Sequence, residues 1–152
     1  MKLESQTDID NENRICDFCN RVLQVELKKL PPNLYNIDRV ALKNNNIEFW
    51  AEVKCRNTLS TKKDAFYEIS LFKMMEGRAL EQATGLPFYL IVEFREGIFS
   101  LKPTSVYSDN AFRVIWGGRE PRPGAVSDKE PMAYFETDCF HPVDLENYWA
   151  AE

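Results

Sequence analysis

Two carboxylates and an ammonium group stand out in the first third of the chain: Asp38, then Glu52 and Lys54. In an extended strand, residues two apart share a face, so Glu52 and Lys54 point the same way. Ile47, Phe49, Ala51, Val53 and Cys55 make the opposite face and are apolar throughout, as a core-facing side should be. Asp38 lies on a preceding candidate strand, and an antiparallel pairing closed at Asn44-Asn45-Asn46 sets the two strands side by side. A register that puts Asp38 beside Glu52 gathers two carboxylates and one ammonium. That set suits Mg²⁺ or Mn²⁺, hard cations that take a few carboxylate oxygens and keep several waters. Such a metal lowers the pKa of a bound water and neutralises charge on a phosphate. Lys54 would hold that water or stabilise the pentavalent phosphorus. The bland alternative is a Glu52–Lys54 ion pair on a solvated sheet face.

The elements that must position these residues follow from periodicity and punctuation. An amphipathic pattern predicts a first helix over residues 8–29, with Ile15, Cys19, Val22, Leu23, Leu27 and Leu30 as its stripe and Pro31-Pro32 as its stop. Strands follow over 34–43 and 47–56, joined by the asparagine turn, since asparagine tolerates left-handed backbone. A polar loop over 57–63 leads into a second helix over 64–83, with Thr61 and Asp64 in capping-box spacing. Gly85 and Pro87 end that helix. Residues 88–94 and 98–102 read as a hairpin around Glu96-Gly97, and 112–116 and 132–139 as two more strands. The Gly/Pro-rich stretch 117–124 reads as a loop, and 142–152 as a short helix or tail. The order α-β-β-α-β-β-β-β implies an α/β fold, a mixed sheet with helices on its faces.

Bulk properties agree with one domain spanning 1–152, its core at about 9–103 and its C-terminal strands and tail at 104–152. The chain is 44% hydrophobic, 28% charged and 12% aromatic, which argues against disorder. No apolar run reaches membrane-spanning length, and the acidic, polar start is unlike a secretion signal, so a cytoplasmic protein without membrane contact is expected. The net charge of −5 weighs against a protein that coats nucleic acid nonspecifically, while leaving room for a local basic groove. Cys16 and Cys19 form a Cys-x-x-Cys pair, but no second Cys/His pair completes a tetrahedral site, so buried reduced thiols are expected.

The acid, the hairpin and the Glu-x-Lys, with one helix before and another after, resemble the PD-(D/E)XK nuclease superfamily of restriction endonucleases, phage exonucleases and archaeal junction resolvases. Ala51-Glu52-Val53-Lys54-Cys55-Arg56, Tyr67-Glu68-Ile69-Ser70-Leu71 with Lys73, and Gly85-Leu86-Pro87-Phe88 are similar to small phage-encoded members, over about residues 9–103. Ile37, not proline, precedes Asp38, at a position that varies in the superfamily. The resemblance implies a restriction-endonuclease-like fold and Mg²⁺-dependent hydrolysis of DNA, in genome processing or recombination. For a phage protein, the place is the host cytoplasm. It makes Asp38 and Glu52 metal ligands, adds the carbonyl of Val53, and makes Lys54 the catalytic lysine. Glu12, in line with the first helix's apolar stripe, is a further candidate ligand, or else a first-turn acid facing the helix dipole. Lys73, in the buried arc of the second helix, is a further catalytic candidate, or else a snorkelling lysine.

A basic rim for DNA is expected from Arg56, Lys62, Lys63, Lys73 and Arg78, with Tyr67 and Ser70 on a helix edge as backbone contacts. The C-terminal aromatics Phe140, Tyr148 and Trp149 are core closure or a homodimer contact. No nucleotide cofactor is expected. The competing reading is an idle nuclease fold that binds nucleic acid or a protein partner.

Overall fold

The computed structural model describes residues 5–56, 66–106, 113–118 and 129–144. Helix α1 spans Gln6–Leu23. Its N-terminus is fixed by a reciprocal capping box: the Ser5 hydroxyl accepts from the Asp8 N–H, and the Asp8 carboxylate accepts from the Ser5 N–H. The helix ends at Leu23, six residues before the expected end at residue 29. Gln24 turns left-handed (φ 57°) and the chain reverses into a strand, β1 (Glu26–Lys29). Val25 and Leu27 are buried there, because an alternation of two buries the same side chains that a helical stripe would.

Residues 34–38, expected to begin the next strand, instead belong to turns and bends, with the N–H groups of Leu34 and Tyr35 both donating to the Pro31 carbonyl. Strand β2 (Arg39–Lys43) then pairs with β3 (Asn46–Cys55) through the two-residue turn Asn44-Asn45. Both asparagines have positive φ (50° and 62°), as a type I′ hairpin turn demands.

The predicted second helix divides in two. Phe66–Ser70 is strand β4, whose aromatic and β-branched alternation matches a sheet, and α2 occupies Leu71–Thr84. Gly85 caps α2 in the left-handed region (φ 71°). Strands β5 (Phe88–Phe94) and β6 (Gly97–Leu101) form the expected hairpin, followed by β7 (Val114–Gly117), β8 (Glu130–Glu136) and the short β9 (His141–Pro142). The capping pair Thr61 and Asp64 lies outside the described residues, as do most of the 117–124 loop and of the 142–152 tail.

Two sheets result, where one was expected. The first is mixed and six-stranded, in the order β1-β2-β3-β5-β6-β9, with β3 and β5 parallel. The second is antiparallel and three-stranded, β4-β8-β7. Helix α1 covers one face of the large sheet, where Ile15, Cys19 and Leu23 meet Phe49, Ala51, Val53 and Ile91. Helix α2 and the small sheet cover the other, where Met74, Tyr67, Ile69 and Phe135 meet Trp50, Leu90 and Val92. Strand β3 is therefore buried on both sides, and its polar residues sit within the protein rather than on a wet face. Phe140 packs edge-on against Tyr67 and Phe94, which makes it core closure; Tyr148 and Trp149 lie outside the described residues. Cys16 and Cys19 are free, buried thiols, which burial pushes up to about 11 and about 12. Among the described residues, no helix is long and apolar enough to cross a membrane.

Candidate active site

Register brings the two acids together. The β2–β3 ladder pairs Arg39 with Ala51, so Asp38, one residue before the strand, stands opposite Glu52. Its N–H donates to Glu52 Oε2 at 3.2 Å. This alignment depends on a β-bulge. Next to the turn the pairs are Lys43 with Asn46 and Leu42 with Ile47, whereas Ala41 pairs with Phe49, so Glu48 is the extra residue. Continued without that shift, the register would set Asp38 opposite Ala51, and the two carboxylates would emerge on opposite faces.

The site lies on the α2 face of the large sheet. Glu52 is 1% exposed. The Lys73 ammonium, reaching in from α2, donates to Glu52 Oε1 and lies 3.9 Å from Asp38 Oδ1. Lys54, two residues along β3, places its ammonium 3.9 Å from Glu52 Oε1 with its side chain one-third exposed. Asp38, Glu52, Lys54 and Lys73 thus converge as expected.

Burial, reinforced by the negative charge of Asp38, raises the Glu52 carboxyl from an ordinary 4.5 to about 7, although Lys73 and Lys54 pull the other way. Burial alone would lower the Lys73 ammonium. The charges of Glu52 and Asp38 outweigh it and hold that group above its ordinary 10.5.

Glu12 is not drawn into this group. Its carboxylate is buried in an ion pair with Arg39 at 3.2 Å, on the α1 face of the sheet. Parity explains it: Arg39 follows Asp38 and projects to the opposite side, where a buried guanidinium requires a carboxylate. Arg39 and Glu76 are the residues the sequence did not single out. Glu76 accepts from the Asn36 N–H at 2.6 Å and ties the turn ahead of Asp38 to α2. An arginine beside the first acid, with opposite parity, was the only available signal for the former.

The expected DNA-contacting residues fare differently. Tyr67 sits on β4, not a helix edge, and is 2% exposed, so it belongs to the core. Burial raises its hydroxyl pKa, and the Arg56 guanidinium lies 5.2 Å over its ring. Ser70 is half-buried at the β4–α2 junction, and Arg78 is half-buried on α2. Arg56 just follows β3 on the parity of Glu52 and Lys54. Lys62 and Lys63 lie outside the described residues.

The donor set fits a divalent metal. Asp38 Oδ2 is buried and has no hydrogen-bond partner among the described residues, a costly state that a cation would relieve. The Trp50 N–H donates to Pro87, just before β5, and the Arg56 N–H to Glu93 on β5, so the odd-numbered backbone groups of β3 face β2. The β2 ladder ends at Arg39–Ala51, leaving the Val53 carbonyl beyond the last laddered pair. Among the described residues, no group of three or more His, Cys, Asp or Glu side chains is placed to hold a metal. Two carboxylates, one carbonyl and water are the set on offer.

Comparison with known structures places the architecture. A Holliday junction resolvase, Hjc, from the archaeal hyperthermophile Archaeoglobus fulgidus superposes with a TM-score of 0.56 at 10% identity, covering 88% of this chain and 87% of that one. At that identity the likeness concerns the fold, which is restriction-endonuclease-like. A search of curated proteins finds no match. The family model described as "phage putative PDDEXK endonuclease" matches residues 1–143, and the chain belongs to that family.

Proposed function

We propose that the protein hydrolyses DNA phosphodiester bonds with a divalent metal, Mg²⁺ or Mn²⁺, held by Asp38, Glu52 and the Val53 carbonyl. The observation that carries this reading is the pairing of Asp38 with Glu52 on one sheet face, with the Lys54 ammonium 3.9 Å from Glu52. When bound, the metal would polarise the phosphate and lower the pKa of the attacking water. Lys54, partly exposed at the rim, donates to a non-bridging oxygen of the attacked phosphate and stabilises its growing charge. Before metal binds, Lys73 fixes the Glu52 carboxylate by an ion pair from α2. The Glu12–Arg39 pair anchors the start of β2 to α1, directly behind Asp38. Arg56 and Arg78, with Lys62 and Lys63, supply cations for the DNA backbone.

The test is cleavage of linear, circular, single-stranded and branched DNA in Mg²⁺ or Mn²⁺. Wild-type protein cleaves at least one of them, and Lys54→Ala and Glu52→Ala lose at least about a hundredfold in rate while remaining folded. The absence of cleavage by folded wild-type protein on all four would leave a nuclease fold that binds without turnover.

A further inference from the structure

We propose that Lys73 is the protein's own cation at this site: without a divalent metal its ammonium bridges Glu52 and Asp38, and metal binding displaces it. This rests on the reading that Asp38 and Glu52 form the metal pair. The ammonium of Lys73 contacts Glu52 Oε1 and stands 3.9 Å from Asp38 Oδ1. A cation holding two carboxylates would need the same space.

The position of Lys73 on its helix supports the assignment. It is the third residue of α2, whose first turn carries no acid. A helix N-terminus disfavours positive charge, so Lys73 is held there against the helix dipole chiefly by Glu52 and Asp38. Its side chain is 27% exposed, which gives the ammonium a way out toward solvent. Glu52 is fully enclosed and cannot follow.

Charge counting points the same way. Asp38 and Glu52 are balanced by Lys73 and Lys54 as they stand. Adding a divalent ion with both lysines in place leaves two uncompensated positive charges in a partly buried cleft. Withdrawing Lys73 halves that excess, and the phosphate of a bound DNA strand removes the rest. Lys73 thereby acts as a positioning residue: it keeps the carboxylates gathered before metal arrives and penalises metal binding in the absence of DNA.

The experiment compares wild type, Lys73→Met and Lys73→Gln, all freed of metal by chelation, with Mn²⁺ alone as the probe. Two readouts are used besides activity. The first is calorimetric Mn²⁺ affinity at pH 8.5 together with thermal denaturation. Both variants bind Mn²⁺ about tenfold or more tightly than wild type, because the ion no longer has to displace an ammonium from the two carboxylates at a partly solvated site. Their metal-free melting temperatures fall, and Mn²⁺ raises them by more than it raises wild type. The second readout is reductive methylation of wild-type lysines, read by mass spectrometry. Lys73 is protected without metal and labelled with Mn²⁺, and because only wild type is used, this decides the matter even if the variants fail to fold. Unchanged Lys73 labelling with bound Mn²⁺, or variants that bind Mn²⁺ no more tightly than wild type, would overturn the displacement and leave the metal pair standing. No Mn²⁺ binding by wild type or either variant would bring down the metal pair itself, and the inference with it.

Discussion

Replacing Glu52 by glutamine removes the charge from the most enclosed acid among the described residues while keeping its shape. In the folded state burial and Asp38 lift this carboxyl to about 7, against an ordinary 4.5. Below pH 4.5 the group is protonated in both folded and unfolded chains and contributes no pH dependence. Between 4.5 and 7 the unfolded chain releases its proton while the folded one retains it, so stability falls as pH rises, and levels off above 7. Each pH step across that interval is worth about 1.4 kcal/mol, so Glu52 costs the metal-free protein roughly 3 kcal/mol at pH 8 relative to pH 4.5. The Lys73 ammonium, held above its ordinary 10.5, stays charged throughout and does not interfere. Urea denaturation with chelator at several pH values reads the effect. Glu52→Gln, compared with wild type, flattens the decline by about 3 kcal/mol. Curves for the two proteins that run parallel between pH 5 and 8 would show that Glu52 ionises freely, and the enclosed site would be refuted.

Two further expectations concern the scaffold. The Cβ of Gly77→Ala would collide with the buried Phe88 ring, so the variant loses about 1–3 kcal/mol by denaturation. It also tilts α2, which carries Lys73 one turn earlier, and DNA cleavage falls with it. Asn45→Gly, at the second left-handed position of the β2–β3 turn, gains up to about 1 kcal/mol in the same assay, whereas Asn45→Ala loses a similar amount.

What was legible in the sequence divides along physical lines. Parity within β3 was readable because Ile47, Phe49, Ala51, Val53 and Cys55 are apolar without exception, and the α2 stop was readable because Gly85 and Pro87 each have one dominant use. Strands β1 and β4 were hidden inside helical patterns. Leu27 satisfies a four-residue stripe and a two-residue alternation equally well, and only the left-handed turn at Gln24 separates them. Phe66-Tyr67-Glu68-Ile69-Ser70 needed β8, more than sixty residues away, to become a strand. That nonlocal pairing buried Tyr67 and removed it from any DNA surface. In the site, residue types identified Asp38, Glu52 and Lys54, but the Glu48 bulge that sets Asp38 opposite Glu52 leaves no mark in composition or spacing. Glu12 was placed correctly on the buried stripe of α1, yet its partner depended on the side to which Arg39 points, which the same bulge determines.

The proposed activity requires that Asp38 and Glu52 share one divalent ion. Anomalous diffraction from crystals soaked in Mn²⁺ tests it directly. One strong peak is expected between the Asp38 and Glu52 carboxylates, within ligand distance of the Val53 carbonyl, and is lost in Glu52→Gln. Mn²⁺ elsewhere in the lattice, with none between these two carboxylates, would contradict it.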